Sequence, residues 1–298
     1  MDGRTRLWLI GLSLIALLCL PTSVAPPRVQ PTTTGQLAVL GRELWLRVPS
    51  GYDAARPTGL VVGLHGYTSN SVELGSYFGL SAETERRGLL LALPEGTRND
   101  QGHRFWNATG ACCNFYRSEV DDSAYLSAVI TEVSARYAVD PRRVWVVGHS
   151  NGGYMSHRFA CEHADQVAGI VSLAGMQNID PSACRPTAPV AVLQVHGTGD
   201  DTVMFAGAGS PERADSYPSA RETVFEWARL DGCRQGPASG PDRDLTTDPG
   251  AETRTSVWTD CSGAAQVELW AMQDAGHVPP LQPHFAATIL DWLDTHQR

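Results

Sequence analysis

The chain has 298 residues, of which 42% are hydrophobic and 18% charged, and carries a formal net charge of -9. That length and balance describe an ordinary globular protein, built as one large α/β domain or two small ones. With 23 basic against 32 acidic residues and no long run of Lys and Arg, it lacks the clustered positive charge that nucleic acid or an anionic membrane rewards.

Arg4 and Arg6 precede an apolar run from Leu7 to Leu20, and "PTSVA" follows it. A positive start, a short apolar core and a small-x-small ending make residues 1–25 a secretory signal. The run is short for a membrane span, which takes about 20 residues; an uncleaved N-terminal anchor is the alternative. Residues 26–35 are rich in Pro and Thr and read as an extended linker, which leaves 36–298 as the folded domain. Beyond the signal lie Cys112, Cys113, Cys161, Cys184, Cys233 and Cys261. In an exported protein an even count implies three disulfides. Adjacent cysteines make a strained pair, so Cys112 and Cys113 are each expected to find a distant partner. Cys233 is expected to join Cys261 across a polar Gly/Pro-rich excursion.

Alternation in "LAVLGRELWLRV" (37–48) predicts a hairpin. "GLVVGLHG" and "LLLALPEG" read as strands buried on both faces, with a helix over about 72–87 between them. Asp121 and Asp122 suit the positive end of the helix "SAYLSAVITEVSARY". Then come the strand "RVWVVGHS", a helix, the strands "VAGIVSLAG" and "PVAVLQVHG", the helix "SARETVFEWARL", the strand "QVELWAMQ" and a closing amphipathic helix. Alternation of this kind predicts a mostly parallel sheet with helices on both faces and ligands at the carboxyl ends of the strands.

Gly148-His149-Ser150-Asn151-Gly152 matches G-x-S-x-G between a buried strand and a helix. This is the context in which a tight turn holds a serine hydroxyl out as a nucleophile. The plainer alternative is Ser150 as the N-cap of that helix. A serine needs a base oriented by an acid, and on this fold the order along the chain is Ser, acid, His. Among nine histidines, His277 in "DAGHVPP" is late in the chain and follows the last strand. His65 and His196 read as structural residues at strand ends, and His149 is expected to point away from the serine. For the acid, "HGTGDD" offers Asp200, with Asp201 in reserve and Asp274 third. The backbone N–H groups of Asn151 and Tyr67 are the candidate oxyanion donors.

The stretches "GLHGYTSNS", "FWNATGACC", "VDDSAYLSAVI", "VDPRRVWVVGHSNGG", "FACE", "VHGTGDDTV", "FEWARLDGC" and "AMQDAGH", in that order, resemble the secreted polyhydroxybutyrate depolymerase and feruloyl esterase group of α/β-hydrolases. The resemblance runs from about Leu37 to the C-terminus. It implies the α/β-hydrolase fold, Ser150, Asp200 and His277 as a triad, Tyr67 and Asn151 as the oxyanion hole, and neither a metal nor an organic cofactor. The chain departs from the group in having Val278-Pro279-Pro280 where Trp-Pro-Gly often follows the histidine, and in the unmatched segment 204–218. Both departures are expected near the mouth of the site.

Trp106, in the loop after "LALPEGTRND", either stacks on an aromatic acyl group or packs its loop onto the sheet. Asn107-Ala108-Thr109 also matches the glycosylation sequon. The expectation is therefore a secreted, monomeric serine esterase acting on a small or polymer-linked ester. An acyltransferase on the same triad and a non-catalytic binding protein of the same fold are the alternatives.

Overall fold

β-branched and leucine-rich runs bounded by Gly and Pro supply the central strands. The computed structural model describes residues 34–210, 212, 213 and 215–298. The expected signal and nearly all of the expected linker lie outside these residues, and Gly35 already opens the first strand. The strands are β1 (Gly35–Val39), β2 (Arg42–Arg47), β3 (Thr58–Leu64), β4 (Leu90–Pro94), the two-residue β5 (Thr97–Arg98) and β6 (Arg104–Phe105), β7 (Val139–His149), β8 (Gly169–Leu173), β9 (Ala191–Gly197), β10 (Gln235–Ser239), β11 (Thr253–Thr259) and β12 (Val267–Met272). The helices are α1 (Ser71–Tyr77), α2 (Leu80–Arg87), α3 (Asp122–Arg136), α4 (Asn151–Glu162), α5 (Ala220–Leu230) and α6 (Phe285–Asp294).

Ten strands form one sheet in the order β1-β2-β4-β3-β7-β8-β9-β12-β11-β10. The six from β4 to β12 pair in parallel, and antiparallel strands close both edges. Successive side chains of a strand face opposite ways, and this splits the core in two. Val144, Val146, Ile170 and Val192 pack with Leu126, Val129, Phe159 and Trp227 from α3, α4 and α5. Trp145, Val147, Val171 and Leu193 pack with Leu74, Leu80, Ile289 and Leu293 from α1, α2 and α6.

Two expectations need correction here. The predicted helix over 72–87 is two helices, broken at Gly79 with φ +74°, a backbone state that favours glycine. Cys112 and Cys113 pair with each other, because Cys161–Cys184 and Cys233–Cys261 satisfy the other four. Among the described residues no helix is long and apolar enough to cross a membrane.

Candidate active site

The end of β7 meets the start of α4 at Ser150. The turn is too tight for side chains on either flank: a Cβ on Gly148 would lie 2.2 Å from the Gly152 carbonyl oxygen, and one on Gly152 2.0 Å from that of Leu64. Ser150 itself sits at φ 53°, ψ -119°, a sparsely populated backbone state costing on the order of 1–3 kcal/mol. Its N–H donates to the Leu173 carbonyl at 2.8 Å, which ties the turn to β8. The hydroxyl does not cap α4; it lies 2.9 Å from His277 Nε2.

His277 follows β12, and its Nδ1 lies 2.8 Å from Asp200 Oδ2. The carboxylate accepts only, so Nδ1 carries the proton and Nε2 is free to accept from Ser150. Asp200 is held on its other oxygen by the N–H groups of Thr202 and Val203, at 2.9 and 2.8 Å. Burial pushes its pKa up, but hydrogen bonds from His196, His277 and the Val203 N–H outweigh burial and hold it well below the usual carboxylate range. Asp200 is therefore ionised. Asp201 is exposed, and among the described residues its side chain accepts only the Thr202 hydroxyl, at 3.4 Å. The arrangement can pass a proton from hydroxyl to imidazole while the carboxylate balances the new charge.

The loop after β3 abuts the serine, since a Cβ on Gly66 would lie 3.5 Å from Ser150 Cβ. His65 accepts from the Gly96 N–H at 2.9 Å, so its Nδ1–H donates to the Gly66 carbonyl at 2.7 Å. Carbonyl and N–H of a trans peptide point in opposite directions, which turns the Tyr67 N–H away from His65. Among the described residues, the loop and turn hydrogen bonds use neither the Tyr67 nor the Asn151 N–H. Two donors thus stand near Ser150 without a carbonyl partner.

A cavity of about 390 Å³ opens onto Ser150 and His277, walled by Tyr67, Ser69, Glu73, Leu74, Tyr77, His149 and Val278. A larger one of about 540 Å³, beside Trp45 and Arg47, is lined by none of Ser150, Asp200 and His277. Three expectations change. Trp106 is fully buried; its indole N–H donates to the His65 carbonyl at 2.9 Å, and the Asn151 side chain exchanges two hydrogen bonds with its backbone. It packs its loop onto the elbow and offers no face to a substrate. His149 lines the cavity instead of pointing away, and its Nε2–H donates to the His277 carbonyl at 3.0 Å. Burial pushes its pKa down to about 4, so it acts as a neutral donor. None of the described residues of 204–218 lines the cavity.

Glu73, Leu74 and Tyr77 escaped the reading from sequence. The available signal was position, because α1 starts only five residues after Gly66. The sequon asparagine is already engaged: Asn107 Nδ2 donates to the Ser118 and Val120 carbonyls.

Comparison with known proteins bears on the fold and the family. The alpha/beta hydrolase fold family matches residues 98–225. Feruloyl esterase B of Piromyces equi is 26% identical over 242 residues, which cover 79% of this chain and 42% of that protein, so the chain spans less than half of that relative. A protein of Nocardia uniformis subsp. tsuyamanensis that carries the name esterase NocK is 31% identical over 236 residues, 71% of this chain and 67% of its own. In structure, the acetyl xylan esterase from Aspergillus awamori matches with a TM-score of 0.64 at 16% identity, over 88% of this chain and 99% of that one. The chain belongs to the α/β-hydrolase family and is similar to proteins named as feruloyl esterases.

Proposed function

We propose that this chain is an exported serine esterase that cleaves acyl groups from hydroxyl-bearing carriers such as polysaccharides, through an acyl-enzyme on Ser150. The observation that carries the reading is His277, which bridges Ser150 Oγ at 2.9 Å and Asp200 Oδ2 at 2.8 Å. His277 Nε2 takes the serine proton while Oγ attacks the ester carbonyl carbon. The oxyanion forms against the N–H groups of Tyr67 and Asn151. His277 then protonates the departing alkoxide, and water repeats the sequence on the acyl-enzyme. Asp200 stays ionised throughout and stabilises the imidazolium. Three disulfides support export, since such bonds persist in oxidising compartments, and the relatives named as feruloyl esterases support the carrier class.

A fluorophosphonate probe is expected to label the wild-type protein and not Ser150→Ala; equal labelling of both would remove the serine from the mechanism. Turnover of feruloyl, acetyl-xylan and short hydroxyalkanoate esters, compared side by side, tests the carrier. A preference for the hydroxyalkanoate would replace polysaccharide by polyester.

A further inference from the structure

Behind Asp200 four polar side chains are buried between the sheet and the helices α4 and α5. Trp227 on α5, His157 on α4, and Gln194 and His196 on β9 are each no more than 1% exposed, and Asp200 is 5% exposed. Gln194 and His196 are two residues apart on one strand, so both face α4 and α5. Trp227 Nε1 lies 2.9 Å from His157 Nδ1, and His157 Nε2 lies 2.9 Å from Gln194 Oε1. Gln194 Nε2 lies 3.2 Å from His196 Nδ1, and His196 Nε2 lies 3.2 Å from Asp200 Oδ2 and 2.7 Å from the Val203 carbonyl.

The two ends of this chain are chemically one-sided. An indole N–H can only donate, and an ionised carboxylate can only accept. Every member between them must therefore accept on the Trp227 side and donate on the Asp200 side. The surroundings agree at two points: the Gly175 carbonyl accepts from Gln194 Nε2 at 2.8 Å, which fixes the amide's orientation, and the Val203 carbonyl requires a proton on His196 Nε2. A second proton on His196 Nδ1 would oppose the amide N–H of Gln194, so this ring is neutral. Burial pushes the His157 pKa down to about 4, which keeps that ring neutral too. Buried polar groups are costly unless each is satisfied, and here each is satisfied in only one proton order.

We infer that Trp227, His157, Gln194 and His196 are positioning residues that set Asp200 toward His277 through a hydrogen-bond chain whose protons can run in only one direction. Backbone N–H groups of Thr202 and Val203 hold Oδ1, and His196 Nε2 lies 3.2 Å from Oδ2. Contacts on both oxygens orient the carboxylate toward His277 Nδ1. The inference rests on the proposed triad, since it concerns how the acid of that triad is aimed.

The test reads proton positions directly. In protein labelled with ¹⁵N-histidine, two-bond ¹H–¹⁵N correlations are expected to find His157 and His196 neutral, each with its proton on Nε2. Gln194→Leu removes the middle link and Trp227→Phe the donor end. Both are expected to perturb the His157 or His196 tautomer. Gln194→Leu is also expected to lower kcat per phosphonate-titrated site by about 2- to 10-fold, the worth of one hydrogen bond between neutral groups, with KM unchanged. Counting titrated sites removes any unfolded fraction, which a purely structural defect would enlarge. His196→Gln, which keeps an N–H at the Nε2 position, is expected to retain more activity than His196→Leu. A proton on Nδ1 of either histidine, or wild-type kcat in Gln194→Leu, would overturn the inference. The tautomers are read without turnover, so failure of the esterase reading would be seen separately as absence of phosphonate labelling.

Discussion

Ser150 differs from the other serines of the chain in what surrounds it. Two glycines let its backbone occupy φ 53°, and a base at 2.9 Å takes the hydroxyl that would otherwise cap α4. Glu73 matters at the same scale. Among the described residues it is the one carboxylate lining the 390 Å³ cavity, which no Lys or Arg lines. Its Oε2 accepts the Ser69 hydroxyl at 2.6 Å, and it enters no ion pair among the described residues. An ester bearing its own carboxylate should therefore be disfavoured. Glu73→Gln is expected to raise kcat/KM for such an anionic ester by about three- to fivefold, the Coulomb effect of one charge pair in water, and to leave a neutral analogue of the same size unchanged. Kinetics on the matched pair at low salt decide it, and a parallel change for both esters would remove the electrostatic role.

Among the elements, α5 combines an N-terminal capping box, Ser219 with Glu222, with an awkward C-terminus. Its last turn ends at Asp231, which is 1% exposed, and whose Oδ2 has no hydrogen-bond partner among the described residues. Burial raises its pKa to about 7, against which the Val190 N–H pulls only partly; the negative end of the helix dipole gives no help. The folded state thus binds this proton more tightly than the unfolded chain, whose group titrates near 3.8. The stabilisation is fully present below about pH 4 and is lost as pH rises through about 7. Asp231→Asn is expected to flatten that part of the Tm-against-pH curve. Superimposable curves for the two proteins from pH 4 to 8 would show that Asp231 does not titrate in this window.

Across the whole molecule, the proposed triad depends on three separate connections meeting at the carboxyl ends of the parallel strands: β7 to α4, the loop after β9, and the loop after β12. The edge strands β10 and β11 flank β12 and are enclosed by the Cys233–Cys261 disulfide, which closes a sequence separation of 28. Loop-closure reasoning makes such a bond worth about 3–4 kcal/mol. The double variant Cys233→Ser, Cys261→Ser is expected to melt roughly 6–16 °C lower, taking about 2–4 °C per kcal/mol for a domain of this size. Calorimetry reads the shift, and an unchanged Tm would place the stability of this edge in strand pairing alone.

Reading the sequence by itself was enough to order the central strands and helices and to single out Ser150, Asp200 and His277 as candidates, because those signals are local. A buried strand must be a short apolar run, a strand-to-helix elbow must have glycines where side chains cannot fit, and the acid and base stand at strand ends. The pairing of Cys233 with Cys261 was legible for a similar reason, since they bracket one excursion. The tertiary structure decided what depends on partners distant in the chain. Trp106 became a packing residue because His65 and Asn151, 41 and 45 positions away, take up its polar groups. The polar stretch 235–259 became two strands because β12 offered an edge to pair with, although the stretch itself lacks a buried strand's apolar run. His149 turned inward because the carbonyl of His277, 128 residues on, accepts its proton. Glu73 and Tyr77 became cavity walls only once α1 was laid beside the elbow. Hydrogen-bond partners and cavity walls are set by which surfaces meet, and spacing along a single chain does not encode that meeting.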